Sequence, residues 1–138
     1  KLADIYGRSL ADAFMPENEH KQISVIRASE RKPINRKGSD LGYRYEVGSF
    51  DKRNPKSDIF FLTVPPRRKG KKPPRFKHSG EEVFLVLKGQ ITINYGGTDV
   101  VLNEGDCAQF DAEVEHFCFA SAEGDALAYV VTIPDKSA

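Results

Sequence analysis

Nine short runs rich in β-branched and aromatic residues follow one another along this chain: "ISVIRA", "GYRYEV", "DIFFLTV", "EVFLVL", "QITINY", "DVVL", "CAQF", "EHFCFA" and "ALAYVVTI". Each is the length of a strand, and turn residues separate them. A series of this kind predicts an antiparallel sandwich or barrel. "YGGTD" supplies a hairpin turn in which glycines take positive φ, "NEGD" supplies a second sharp turn, and "NRKGSD" reads as a surface loop. The chain has 138 residues and is 39% hydrophobic, enough for one domain with a core plus an appendage.

The appendage is at the start. In "KLADIYGRSLADAFMPENEH", Leu2, Ile5, Tyr6, Leu10 and Phe14 recur at helical spacing, interrupted by Gly7 and Ser9. Two short helical pieces are expected here, the second capped by Ser9, with Pro16 ending the pattern and a polar linker leading to the first strand.

No apolar run approaches the roughly 20 residues that a bilayer needs, so no membrane partner is expected. Two cysteines, Cys107 and Cys118, are too few for a disulfide scaffold and fit a reducing, cytoplasmic compartment. No Ser-His-Asp order, phosphate-binding glycine loop or nucleotide fingerprint is present.

The net charge of +1 is unevenly distributed. Arg67, Arg68, Lys69, Lys71, Lys72, Arg75 and Lys77 form a run without an acidic residue, and the remaining 14 Lys and Arg face 20 Asp and Glu. Such a run suits an anionic ligand or polyanion, or else a solvated loop. It lies in the proline-rich segment "PPRRKGKKPPRFK", which leads directly to His78.

In a strand starting near Glu82, side-chain alternation sends Glu82, Phe84 and Val86 to one face and Val83, Leu85 and Leu87 to the other. "EGDCAQFDAEVEHFCF" reads as strand, turn over residues 111–114, strand. If Phe110 pairs with Glu115 across that turn, Gln109 opposes His116 and Cys107 opposes Cys118, all on one face. The two cysteines are then small buried residues or a neighbouring thiol pair. Tyr43, Tyr45, Phe60, Phe61 and Phe84 are expected mostly in the core, with some lining a pocket.

"HSGEEVFLVLKG" and "EGDCAQFDAEVEH" resemble the first and second motifs of the cupins. The resemblance implies an all-β, cupin-type antiparallel sandwich or jelly-roll barrel with a short N-terminal helical appendage. Within that family, "ISVIRASERKPI", "SDLGYRYEV" and "IFFLTVPP" resemble the C-terminal domain of bacterial regulators that join an Xre-type helix-turn-helix to a cupin. It implies that residues 1–20 are the tail of a DNA-binding domain and its linker, and that residues 21–138 are an effector-binding and dimerisation domain. Its partners are then a small, anionic effector, DNA through a domain preceding Lys1, and a second copy of the chain.

Carried over by position, the motif puts metal-ligating groups at His78, Glu82 and His116, with Phe76 where metal-binding members usually have another histidine. Two histidines and a carboxylate suit one divalent metal such as Fe, Zn, Mn or Ni. The plain alternative is a hydrogen-bonded histidine beside a Glu82 paired with a residue such as Arg44. Arg75, Phe84, Gln109 and Cys118 are the expected ligand-binding residues. The resemblance favours a sensor domain over an enzyme. An iron-type cupin enzyme of the hydroxypropylphosphonate epoxidase kind is one alternative, and a metal-free dimerisation module is the other.

Overall fold

The computed structural model describes residues 19–135. The two expected helical pieces, the Ser9 cap and most of the proposed linker lie outside this range. Among the described residues, nine strands are arranged in two sheets: β1 (Lys32–Ile34), β2 (Arg44–Val47), β3 (Asp58–Val64), β4 (Glu81–Lys88), β5 (Ile91–Tyr95), β6 (Thr98–Leu102), β7 (Cys107–Asp111), β8 (His116–Ala120) and β9 (Ala126–Ile133). One sheet has six strands in the order β1-β2-β3-β9-β4-β7, the other three in the order β6-β5-β8. All the pairings between these strands are antiparallel. Two sheets that close face to face around one interior form the β-sandwich expected from the spacing of the runs.

Alternation along the strands builds the interior. In β9, Ala126, Ala128, Val130 and Thr132 are buried and their neighbours are less so. In β3, Phe60, Leu62 and Val64 take the matching positions. Phe60, Ile91, Val47, Val64, Val86 and Val130 are the largest fully buried side chains. Each such aliphatic or aromatic group contributes about 1.5–3 kcal/mol by leaving water. Glu82, Phe84 and Val86 of β4 share the inner face, as alternation requires.

Three expectations need correction. "ISVIRA" is not a strand: Ile23 is 74% exposed and Val25 51%, and among the described residues no neighbouring strand offers this segment a ladder. It is pinned instead by polar contacts. The Ser24 hydroxyl donates to the buried Asp51 carboxylate, and the Lys21 N–H donates to the Asp51 carbonyl at 2.7 Å. The first described strand is Lys32–Ile34, which Arg31, Lys32 and Pro33 obscure in the sequence. "NRKGSD" is not a plain surface loop, because it contains the buried Gly38 and turns into a 3-10 segment at Ser39–Leu41.

The third correction concerns the second motif. β7 and β8 do not pair with each other: β7 pairs with β4, and β8 pairs with β5 in the other sheet. Phe110 therefore lies opposite Glu82, and Gln109 opposite Val83. Residues 111–114 cross from one sheet to the other. Cys107 is opposite Leu85, Cys118 is opposite Ile93, and both thiols are free. The supposed Gln109–His116 and Cys107–Cys118 pairs do not exist.

Candidate metal centre

Glu82 is at the second position of β4 and points inward, with its side chain only 8% exposed. His78 lies on the segment that approaches the strand. Three backbone clamps fix that segment: Phe76 and His116 exchange N–H···O bonds of 2.9 and 3.0 Å, the His78 N–H donates to Ala112 O at 3.0 Å, and the Ala112 N–H donates to Gly80 O at 2.9 Å. Gly80 has φ +96°, and a Cβ there would be 2.1 Å from the Ile133 carbonyl oxygen, so only glycine allows the chain to pass β9 and enter β4. His116 opens β8 and enters the same space from the smaller sheet.

The three side chains converge. His78 Nε2 is 3.3 Å from Glu82 Oε1, and His116 Nε2 is 3.6 Å from the same oxygen. The two imidazole rings are edge to face with centroids 5.8 Å apart. Each ring's other nitrogen is turned to a backbone carbonyl: His116 Nδ1 to Val114 O at 2.8 Å, His78 Nδ1 to Ser79 O at 3.2 Å. A carbonyl only accepts, so each Nδ1 carries a proton and, in the neutral ring, each Nε2 presents a lone pair. Two lone pairs then face a carboxylate oxygen. His116 Nε2 is buried without a hydrogen-bond partner among the described residues.

Something positive has to occupy that focus, either a proton or a metal ion. Burial acts to raise the Glu82 carboxyl, but the imidazoles of His116 and His78 outweigh it and hold the carboxyl below its ordinary value. Burial likewise disfavours charge on His116, yet the Glu82 carboxylate and the Val114 carbonyl leave it raised overall. A metal ion meets the same demand. Donors about 2.1 Å from one ion lie about 3.0–3.4 Å apart at octahedral or tetrahedral angles. The separations of 3.3 and 3.6 Å approach this range, and the three ligand atoms lie within 4.8 Å of one another. Two histidines and one carboxylate suit Fe, Zn, Mn or Ni and leave coordination positions for a ligand. The residues fit a divalent ion.

Glu82 and His116 of this cluster are in the wall of a small cavity of about 30 Å³ between the sheets. Its lining includes Arg36, Tyr43, Tyr45, Phe60, Phe76, Phe84, Phe110, Phe117 and Cys118 beside Glu82 and His116. Phe84 and Cys118, two of the expected ligand-binding residues, thus face the pocket. Gln109 does not: it is on the outer face of β7, where its amide donates to Glu81 at 3.0 Å. Arg75 is also outside the lining, ion-paired with Glu115 at 3.3 Å, its guanidinium 4.5 Å from the centre of the Phe117 ring. Arg44 points to solvent towards Asp125 and is no partner of Glu82. Phe61 is on the outer face, covered by Arg31 at 3.5 Å. Phe76 fills the remaining position of the motif, with its ring 6.3 Å from that of His116.

The sequence reading missed Arg36. It belongs to a loop that looks solvated, and no local pattern marks a guanidinium that turns inward. The pocket arginine comes from the segment before β2, not from the strands that carry the motif.

Residues 60–133 match the cupin domain family, so the chain belongs to the cupins. Among solved structures, it is similar to hydroxypropylphosphonic acid epoxidase from S. wedmorenis, with a TM-score of 0.68, 22% identity, and coverage of 80% of this chain and 59% of that one. The chain therefore spans about three fifths of that enzyme's length. The Fe(II) form of HppE aligns with a TM-score of 0.71 and 21% identity over 88% of this chain and 67% of the other. An RmlC-like cupin from Shewanella frigidimarina NCIMB 400 gives 0.59 and 16% over 81% and 91%. At these identities the likeness shows the fold. No curated protein matches the chain. Among the described residues, no helix is long and apolar enough to cross a membrane.

Proposed function

We propose that this chain is the sensory and dimerisation cupin domain of a cytoplasmic, Xre-type DNA-binding regulator, and that its pocket holds one divalent metal and a small effector. The observation that carries the reading of the pocket is the convergence of two imidazole Nε2 atoms on Glu82 Oε1. The regulatory part rests on the order of "ISVIRASERKPI", "SDLGYRYEV" and "IFFLTVPP" and on the helical spacing of residues 1–20.

His78, Glu82 and His116 would hold the ion, which supplies a Lewis-acidic centre with positions open to an oxygen or nitrogen donor of the effector. The protein's own groups do the rest. The carbonyls of Ser79 and Val114 orient the imidazoles, and the aromatic walls exclude water from the bound effector. An effector shifts a regulator only if it binds one conformation better than another. The rigid attachment of the Phe76–Gly80 segment to β8 and to the turn after β7 provides a path for such a preference. Pairing of two cupin domains would set the spacing of their DNA-binding partners on a two-fold operator.

A second reading is an iron-type cupin enzyme. The same His-Glu-His set supports it, as does the fold shared with an epoxidase whose Fe(II) form is known. Here the three residues would bind the metal, and substrate would take the open positions.

Elemental analysis after purification without chelator or nickel resin tests the metal centre. Near-stoichiometric Fe, Mn, Zn or Ni is expected in the wild type and none in a Glu82→Ala, His116→Ala double variant. Equal metal content in both would overturn the assignment. For the full-length regulator, neutralising Arg67, Arg68 and Lys69 tests whether the basic run helps to hold DNA. A smaller salt slope of operator binding is expected, and an unchanged slope removes the basic run from the DNA contact.

A further inference from the structure

We propose that Arg67, Arg68, Lys71 and Lys72 form a binding site for clustered phosphate groups on the outer surface of the sandwich, separate from the metal centre. The inference goes beyond the reading of the interior pocket and does not depend on it.

The four side chains line one depression, together with Tyr43 and Pro66. A segment that carries several like charges lowers its energy by extending, yet this one is folded back on itself. The Lys71 N–H donates to Arg68 O at 3.1 Å and closes a turn in which Gly70 has φ +76°. Arg67 and Arg68 therefore stand on one side of the turn, Lys71 and Lys72 on the other. Both ends of the loop are anchored. The Ala120 N–H donates to Pro65 O at 2.9 Å, and Pro73 and Pro74 are buried, the second packed against Gly38. Backbone contacts and proline, which fixes its own φ, thus hold the charges together against their repulsion.

No counter-ion is built in. None of the four side chains has an ion-pair or hydrogen-bond partner among the described residues, and no carboxylate lines the depression. Arg75, further along the same run, differs in being paired with Glu115 at 3.3 Å. The Arg67 guanidinium rests 5.3 Å from the centre of the Phe119 ring and 5.7 Å from that of Phe117, contacts that leave its N–H edge open to an acceptor.

An anion of two or more charges at the centre of four cations removes their mutual repulsion. Arginine forks match phosphate oxygens and lysines add point charges, so a phosphomonoester or pyrophosphate group suits the site better than a singly charged carboxylate. The depression is shallow, with a volume of about 10 Å³, so the phosphate rests in its mouth and the remainder of the ligand lies in solvent. Tyr43 lines this depression and the interior cavity alike, so one side chain separates the two sites.

A small phosphorylated molecule and the backbone of DNA could each supply such groups, and pyrophosphate and a short DNA duplex are the probes that separate them. At low ionic strength, where exposed charges act over the longest range, calorimetry of the wild type should show one pyrophosphate bound per chain, with acetate far weaker. An Arg68→Gln, Lys72→Gln double variant should bind pyrophosphate about three- to tenfold more weakly, as expected for two exposed charge pairs. Lys56 and Lys88 are exposed outside the depression, so a Lys56→Gln, Lys88→Gln double variant makes the same change in net charge and should bind like the wild type. Affinity should be equal with and without bound metal. Duplex binding that the first double variant weakens and pyrophosphate displaces would give the site to backbone phosphates. Duplex binding that it leaves unchanged, beside weakened pyrophosphate binding, would give the site to a small molecule. Binding of neither probe, equal affinities in the two double variants, or pyrophosphate binding that requires the metal would each overturn the inference.

Discussion

His116 Nε2 lies 3.6 Å from Glu82 Oε1, while the other nitrogen of the ring is committed to the Val114 carbonyl at 2.8 Å. That pairing makes the metal-free protein sensitive to pH. His116 is raised above 6.5, so its contribution to stability is complete below that value and is lost as pH rises through the folded-state pKa. Glu82 is lowered below 4.5, so its contribution is present above that value and is lost as pH falls through the folded-state pKa. In chelator, melting temperatures of the wild type minus those of Glu82→Gln should peak between about pH 4.5 and 6.5. Parallel curves would show that the carboxylate does not bind the imidazolium.

Phe76 pairs with His116 through the backbone and brings its ring to 6.3 Å from the imidazole. Phe76→His should add a third imidazole to the centre and tighten zinc binding by at least about tenfold, the lower end of what a supporting residue changes. Competition with a chromophoric chelator measures it. Unchanged affinity would mean that this position does not face the ion.

Replacing Gly80 with alanine tests how β4 is aimed. The new Cβ would meet the Ile133 carbonyl at 2.1 Å on a backbone with positive φ. A loss of about 2–4 kcal/mol is expected by denaturant titration, as for other strained backbone positions and overpacking. Metal affinity should fall with it, because Glu82 follows two residues later. A cost below 0.5 kcal/mol would show that the segment shifts freely.

The two thiols should differ in reactivity. Cys107 is exposed on the outer face, whereas burial first, and then the Glu82 charge, push the Cys118 thiol up to about 12. Iodoacetamide at pH 8 should modify Cys107 in the folded protein and reach Cys118 only after denaturation, as peptide mass spectrometry would reveal. Equal labelling, or a Cys107–Cys118 disulfide under mild oxidant, would contradict the assigned strand partners.

Much of the sandwich was legible in the chain because strand alternation is a local property. Glu82, Phe84 and Val86 fall on one face from their spacing alone, and the glycines of "YGGTD" mark the turn between β5 and β6. "ISVIRA" misled for the same reason. Its composition suits a strand, but a strand also needs a partner, and nothing local reveals that residues 23–28 have none among the described strands.

By itself, the sequence determined the all-β class, the inward run of β4, and the residue types at positions 78, 82 and 116. Each follows from neighbours a few residues apart. Only the tertiary structure decided which sheet each strand joins, and that choice turned Phe110 inward and Gln109 and Cys107 outward. A tight-looking turn at residues 111–114 does not disclose that it spans two sheets, because the partner of β7 is β4, more than 20 residues earlier. The structure also brought Arg36 into the pocket, from a loop whose inward turn depends on Gly38 packing against Pro74. Contacts over such sequence distances are fixed by how the whole interior packs.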